Sequence, residues 1–284
     1  MAEMKGELGI SIVITVYNEA RNIAELLESL VSQDPPVEIV IVDSMSNDGT
    51  QDIIRSYQNK YDFIKNIRVR SSRGEGRNIG VSNATYDYVA FTDGDAIAHP
   101  FWIRNMREKF KEGYDIVAGR TIQMGYTPFE KLGRVELYFE GYEVTYPSVN
   151  LGYKKSMFQE AGGFDPKFIT AEDIDLNIRA VMNGGKIKYC DECIIFHRTR
   201  TSLSSFVIQA FWNGFGRKQL TYKHKHVWSH FKFSTILQRD QIGMWQFIRG
   251  IFAVMGYLAC KIFGDDFIRH YRKERLKKTS RDLT

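Results

Sequence analysis

The chain is poor in cysteine, with three in 284 residues: Cys190, Cys193 and Cys260. An odd, low number argues against a disulfide framework and fits a reducing compartment. The opening MAEMKGELGISIVITVYNE lacks the layout of a secretory leader, because acidic residues come early and the apolar run is short. There is no unbroken apolar stretch of about 18 residues, so no membrane-spanning helix is predicted. The longest run of apolar residues and glycine, Gly250 to Cys260, sits between Arg249 and Lys261. It reads as an interfacial or a core helix. Repeats and low-complexity tracts are also absent. What remains is ordinary globular composition, 43% hydrophobic and 26% charged. The length suits one large domain, or one domain with an appendage.

Acidic residues are scarce at one end. From Arg217 to Thr284 there are 15 Lys and Arg against 5 Asp and Glu, whereas Met1 to Gly216 has 24 against 29. A near-neutral to acidic body thus carries a basic tail. Such asymmetry points to a membrane surface, a phosphorylated partner or nucleic acid.

Along the body, strand and helix patterns alternate. ISIVITVYNE is a β-branched run of the kind buried on both faces. EARNIAELLESLVSQ places Ile23, Leu26, Leu27, Leu30 and Val31 at helical spacing. PPVEIVIVDS predicts a second strand, and SNDGT a turn in which Ser46 or Asn47 caps the helix TQDIIRSYQNKY. IRVRSS predicts a third strand, GRNIGVSNA a helix start and YDYVAFTDGD a fourth strand. This alternation predicts a parallel sheet with helices on both faces, whose ligands bind beyond the carboxyl ends of the strands. Asp43, Arg73, Asp93 and Asp95 all fall on that rim.

After about Asp115 the alternation weakens. DIVAGRTIQM reads as a strand, PFEKLGRVELYFEGYE as a helix, and SVNLGYKKSMFQEAGGFDPKF as a short strand, a helix and a loop. EDIDLNIRAVMNGG is a helix with a glycine stop, and KIKYCDECIIFH a strand. Beyond about Arg200 the pattern is helical and basic.

Asp93-Gly94-Asp95 pairs two carboxylates where a buried strand ends. Oxygen donors of this kind suit Mg²⁺ or Mn²⁺ meeting a substrate phosphate, and the glycine leaves room for a phosphate or sugar. A solvated turn is the plain alternative. Glu172, Asp173 and Asp175 cluster at a helix N-terminus, where the dipole favours them; a general base is the other reading. RGEGRNIG carries GxGxxxG rather than GxGxxG, and YNEARN has no glycine, so a dinucleotide-binding oxidoreductase is disfavoured. Cys190, Cys193 and His197 form only part of a zinc pattern, with no second cysteine pair nearby.

Together these segments resemble glycosyltransferase family 2, in order. SIVITVYNE resembles the family's opening strand, and VIVDSMSNDGT its VDDGSxDGT segment. GEGRNIGVSNATYDYVAFTDGDA resembles xGxxxARNxGxxxAxGxYIxFLDxDD. AGGFDPKFITAEDIDLNIRAVMNGGKI resembles GGFDExFxxxEDxDLxxRxxxxGxxI. The resemblance covers Ile10 to about Arg200. It implies an α/β GT-A fold, a Rossmann-like and mostly parallel sheet flanked by helices, with a helical basic C-terminal extension. It also implies a catalytic domain over 1–200, with a nucleotide-binding half (1–115) and an acceptor half (116–200), followed by the region 201–284.

By the same resemblance, Val16, Tyr17, Glu19 and Asp43 hold the nucleoside, and Arg73 and Arg77 the diphosphate. Asp93 and Asp95 form the DxD pair, with Gly94 at the donor and His197 beside the metal. Asp173 is the base, and Glu172 and Asn150 lie at the acceptor. The implied reaction is inverting transfer from a UDP- or GDP-sugar, assisted by Mg²⁺ or Mn²⁺, to a saccharide or lipid-linked acceptor. Ser44 and Met45 replace the family's Asp-Gly, DGDA replaces DxDD, and the QxxRW signature of processive members is absent.

Three other readings compete with this one. A non-catalytic sugar-nucleotide-binding protein would not need Asp93, Asp95, Glu172 and Asp173 together. A nucleotidyltransferase needs a glycine-rich basic loop after the first strand, which TVYNEARN does not supply. Nucleic-acid binding would explain the tail but not the acidic rim. The expected location is the cytoplasm. The tail is either a peripheral contact with an anionic membrane face or a helical appendage packed on the catalytic domain or in a dimer interface.

Overall fold

The structure is a computed structural model that describes residues 7–125, 136–198, 202–225 and 244–281, with side chains of the last helix to residue 264. The chain divides into two units: Met1–Met124 with Tyr138–Pro166 and Asp173–Arg198, and Gly125–Leu137 with Lys167–Glu172 and Thr199–Thr284.

In the first unit, β1 (Ile10–Val16) and β2 (Val37–Asp43) are the two β-branched runs, and every position of β2 is buried. β1 lies between β2 and β4 (Tyr88–Asp93) and is parallel to both. β3 (Ile64–Arg68) closes that edge. It lies several residues earlier than IRVRSS predicts, because Ile64 and Ile67 pair with β2 while 69–72 form the turn into the next helix.

Beyond β4 come β9 (Leu151–Lys154), β6 (Ile116–Met124), β10 (Ile187–Arg198) and β5 (Ala96–Ala98), completing the order β3-β2-β1-β4-β9-β6-β10-β5. β9 and β5 run antiparallel to their neighbours, so the sheet is mostly parallel rather than wholly so.

Helices α1 (Ile23–Val31), α2 (Thr50–Gln58), α3 (Arg73–Ser82), α4 (Trp102–Lys111), α5 (Lys155–Glu160) and α6 (Glu172–Met182) complete the set. The α2 cap differs from the expectation. Gly49 stands at the cap with φ 99°, and Asp48 accepts from the Thr50 N–H at 3.1 Å. Ser46 is instead drawn to Asp43.

α3 opens with a capping box between Ser72 and Glu75. Its glycines serve packing: a Cβ at Gly80 would overlap Val13 Cγ1, and one at Gly76 would sit 2.8 Å from Thr15 Cγ2. The glycine-rich segment therefore lets a helix lie directly on β1.

The expected helix in PFEKLGRVELYFEGYE is corrected in part. Residues 126–135 lie outside the described residues, and the remainder is a hairpin of β7 (Tyr138–Phe139) and β8 (Tyr142–Glu143). Glu140 and Gly141 both have positive φ, the geometry of a tight two-residue turn.

The cysteine reading is corrected as well. Cys190 and Cys193 are joined in a disulfide, so neither is a zinc donor; Cys260 is buried.

In the second unit, α7 (Leu203–Lys223) is capped by Ser202. α8 (Met244–Arg281) is broken at Gly264, where φ is 48°. A Cβ at Gly214 would overlap the Ala253 carbonyl, and one at Gly256 the Phe211 carbonyl. The two backbones thus meet through glycines.

The segment Met244–Gly264 is a 21-residue helix of mean hydropathy 1.5, with Phe247, Ile251, Val254, Leu258 and Ile262 exposed. It spans about 31 Å. Arg249 and Lys261 leave the helix unbroken, so by length and composition it is long enough to cross a membrane, against the sequence expectation. Its exposed face also removes the core-helix reading.

Candidate active site at the carboxyl rim of the sheet

Register places the rim residues. Val16 pairs with Asp43 across β1 and β2, and Thr15 with Asp93 across β1 and β4. The parallel strands therefore end together, and their carboxylates gather beyond one edge.

Asp93 is held by Arg77. The guanidinium is 1% exposed, lies over the Phe164 ring at 5.4 Å and donates to Asp93 Oδ1 at 2.7 Å. Burial would raise the Asp93 carboxyl, but Arg77, then His197, then Arg73 outweigh it and hold it below its usual range. Arg73 is exposed on the first turn of α3.

His197 comes from β10, two strands beyond β9 in the sheet order. Its Nε2 lies 3.3 Å from Asp95 Oδ1 and its Nδ1 3.3 Å from Gln123 Oε1. One donor atom each from Asp93, Asp95 and His197 fall within 4.8 Å of one another. Two hard carboxylates and one imidazole form a mixed oxygen and nitrogen donor set that fits a divalent cation. Glu19 reports the same concentration of negative charge. Its carboxyl is raised by burial against a hydrogen bond from Asn22, with Asp95, Asp93 and Asp48 adding repulsion.

The space above Gly94 is not open, contrary to the expected role in admitting a phosphate or sugar. A Cβ there would lie 2.9 Å from Glu19 Cγ and 3.2 Å from Val16 Cγ1, so Gly94 lets the β1 end close on the aspartate turn. Tyr17 follows, half-buried. The loop after β1 is sewn to the loop after β2. Asn18 N–H donates to Ser46 Oγ (2.9 Å), Glu19 N–H to Thr50 Oγ1 (2.8 Å) and Ala20 N–H to Asp48 Oδ2 (3.0 Å). Asn18 and Met45 hold positive φ (56° and 63°) in these loops, a strained choice for methionine.

Asp43 is fully buried, and its carboxylate is engaged by Ser46, Gln51 and Arg68. It braces the loop, and Ser44, tied to Ser71, stands beside it.

Asp173 is partly exposed in the first turn of α6. Its Oδ2 accepts from the Ser148 N–H at 3.1 Å and its Oδ1 from the Ile174 N–H at 2.9 Å. Arg179 fixes the helix, pairing with Asp175 at 2.6 Å and donating to the carbonyls of Ala161 and Gly163. Glu172 is buried at the helix start.

Asn150 corrects an expectation. It is 1% exposed, accepts from Trp102 Nε1 at 2.8 Å and donates to the carbonyls of Arg120 (2.9 Å) and Cys193 (2.8 Å). Its amide is spent on the sheet and does not face an acceptor. Sequence reasoning missed Gln123, whose signal is positional only: it pairs in register with His197.

The sequence model described as glycosyl transferase family 2 matches residues 11–159. Glycosyltransferase AglE of Haloferax volcanii is 28% identical over 206 residues, 67% of each chain. Glucosyl-dolichyl phosphate glucuronosyltransferase of the same organism is 28% identical over 244 residues, 74% of this chain and 76% of that one. Two other curated relatives, the poly-beta-1,6-N-acetyl-D-glucosamine synthase of Staphylococcus epidermidis and the probable glycosyltransferase YdaM of Bacillus subtilis, are longer, and the match covers 48–50% of their length. Mannosyltransferase PcManGT from Pyrobaculum calidifontis, solved with GDP-Man and Mn2+, shares the fold at a TM-score of 0.61 and 16% identity, over 97% of this chain and 82% of that one. With just over half its length matched by the family model and a GT-A sheet carrying the motifs in order, the chain belongs to glycosyl transferase family 2 and is a glycosyltransferase.

Proposed function

We propose that the protein moves a glycosyl unit from a UDP- or GDP-sugar to an acceptor hydroxyl or lipid phosphate in glycan or glycolipid assembly, with inversion and with help from Mg²⁺ or Mn²⁺. The observation that carries this is the convergence of Asp93, Asp95 and His197 within 4.8 Å at the rim. These three would hold the ion, which when bound supplies charge stabilisation for the departing diphosphate.

The chain's own residues do the rest. Arg77 fixes the Asp93 carboxylate, and Arg73 adds positive charge at the diphosphate end. The Val16–Glu19 turn faces the nucleoside, with Asp43 supporting that loop from beneath. Asp173 is aimed by the Ser148 and Ile174 N–H groups; its carboxylate takes the proton of an acceptor hydroxyl as that oxygen attacks the anomeric carbon. A single displacement inverts that centre. A lipid phosphate arrives already ionised, and Asp173 then positions it. Catalysis belongs to the domain 1–200, with the donor held by 1–115 and the acceptor by 116–200.

The exposed apolar helix Met244–Gly264 and the basic sequence after it seat the protein on an anionic, cytoplasmic membrane face. The glucuronosyltransferase relative, named for a dolichyl phosphate substrate, supports a lipid-linked acceptor.

The test is a transfer assay with NMR of the product. Asp173→Asn is expected to lower turnover by about 10²–10⁴-fold, and the wild type to give a β-linked product from an α-linked donor. Full activity in the variant, or a retained α configuration, would refute the reading.

A further inference from the structure

We infer that Gln123 is a positioning residue for the metal site, holding His197 in the tautomer that keeps its proton on Nδ1 and presents the Nε2 lone pair beside Asp95. This rests on the metal reading above.

β10 runs parallel to β6 from Ile187, opposite Ile116, to Cys190, opposite Gly119. Pairing then resumes at Ile194 opposite Arg120, so residues 191–193 are extra on β10. Side chains alternate faces with a period of two, so an odd insertion exchanges the faces of everything after it. The bulge therefore decides which way His197 points. It is held by the Cys190–Cys193 disulfide, by Asn150 donating to the Cys193 carbonyl, and by Asn105 donating to the Glu192 carbonyl at 2.8 Å.

Past the bulge, His197 falls opposite Gln123 on one side and Ala96 on the other. Ala96 follows Asp95 directly, so the imidazole sits between the amide and the aspartate. The Gln123 amide oxygen is an acceptor only, so the facing Nδ1 carries the proton. Nε2, 3.3 Å from Asp95 Oδ1, is the ring nitrogen on the side of the aspartates, so it is the atom that a cation held there would take while Nδ1–H stays on Gln123. Partners on the far nitrogen of a metal-bound histidine fix ring orientation and basicity in this way.

The experiment has two readouts that do not depend on activity. Ring ¹⁵N NMR of the protein loaded with diamagnetic Mg²⁺, with His197→Ala identifying the resonance among six histidines, reports the tautomer. Mn²⁺ titration followed by EPR reports affinity. The wild type is expected to show Nδ1–H. Gln123→Met is expected to lose that preference and bind Mn²⁺ about 10–100-fold more weakly, while Gln123→Glu restores both. An unchanged tautomer and unchanged Mn²⁺ affinity in Gln123→Met would overturn the inference. If His197→Ala weakens Mn²⁺ binding while Gln123→Met does not, only the role of Gln123 falls. If His197→Ala binds Mn²⁺ as the wild type does, the metal reading itself falls.

Discussion

Arg77 is buried from solvent and reaches Asp93 at 2.7 Å, whereas Asp95, two residues on, lies 3.3 Å from His197 Nε2 and remains a third exposed. The two aspartates of one short motif therefore do different work. Asp93, a quarter exposed, neutralises the buried Arg77 guanidinium as well as offering a metal ligand. Leaving a buried guanidinium without its partner costs about 3–5 kcal/mol, while losing a partly exposed carboxylate with no buried counter-charge costs about 1 kcal/mol or less. Urea unfolding should show Asp93→Ala strongly destabilised and Asp95→Ala close to wild type, with both losing Mn²⁺ binding. Equal stability of the two variants would contradict the assignment.

The helix α3 lies on β1 because of its glycines. A Cβ at Gly80 overlaps Val13, whereas one at Gly74 stops 3.3 Å from Phe164 Cβ. Alanine gains about 0.5–1 kcal/mol of helix propensity, and overpacking a core costs about 1–3 kcal/mol. Gly80→Ala should lower the melting temperature and Gly74→Ala should leave it nearly unchanged. A stabilised Gly80→Ala would show that α3 has room to move.

Asn150 joins three elements through one amide: Trp102 on α4, Arg120 on β6 and Cys193 in the bulge of β10. Each buried polar group left unsatisfied costs about 1–3 kcal/mol. Asn150→Ala should destabilise by about 3 kcal/mol or more in chemical denaturation. A loss of activity without a loss of stability would instead return Asn150 to an acceptor role.

Glu38 gives a pH dependence. Burial would raise its carboxyl, but Lys65, Thr85 and Ser11 together hold it below its ordinary 4.5. Its contribution is whole above the ordinary carboxylate value and is lost as the pH falls through the lowered folded one. Glu38→Gln should lower stability at neutral pH and flatten the acid limb of the stability curve below about pH 4.5. An acid limb as steep as that of the wild type would place the sensitivity elsewhere.

Most of the rim could be read from the sequence. Continuous β-branched runs ending in charged residues locate β1, β2 and β4, and parallel pairing then sets Asp43 opposite Val16 and Asp93 opposite Thr15. Features that depend on pairing across the sheet could not be read. The offset of 191–193 is set by β6, so neither the disulfide nor the Gln123–His197 contact has a local signal. α4 has a local signal that the strand-and-helix alternation passes over, since Trp102, Ile103, Met106 and Phe110 are at helical spacing and buried. Asp43 and Asn150 look like ligand residues by type, but burial spends them on the frame.

The central claim is that Asp93, Asp95 and His197 hold a divalent ion that meets a nucleoside diphosphate. Calorimetric titration of UDP and GDP, each with Mn²⁺ and with EDTA, into wild type and Asp95→Asn tests it most directly. The account predicts that one nucleotide binds with Mn²⁺, that EDTA abolishes the binding, and that Asp95→Asn does not bind. Equal nucleotide affinity in EDTA, or in Asp95→Asn, would contradict it.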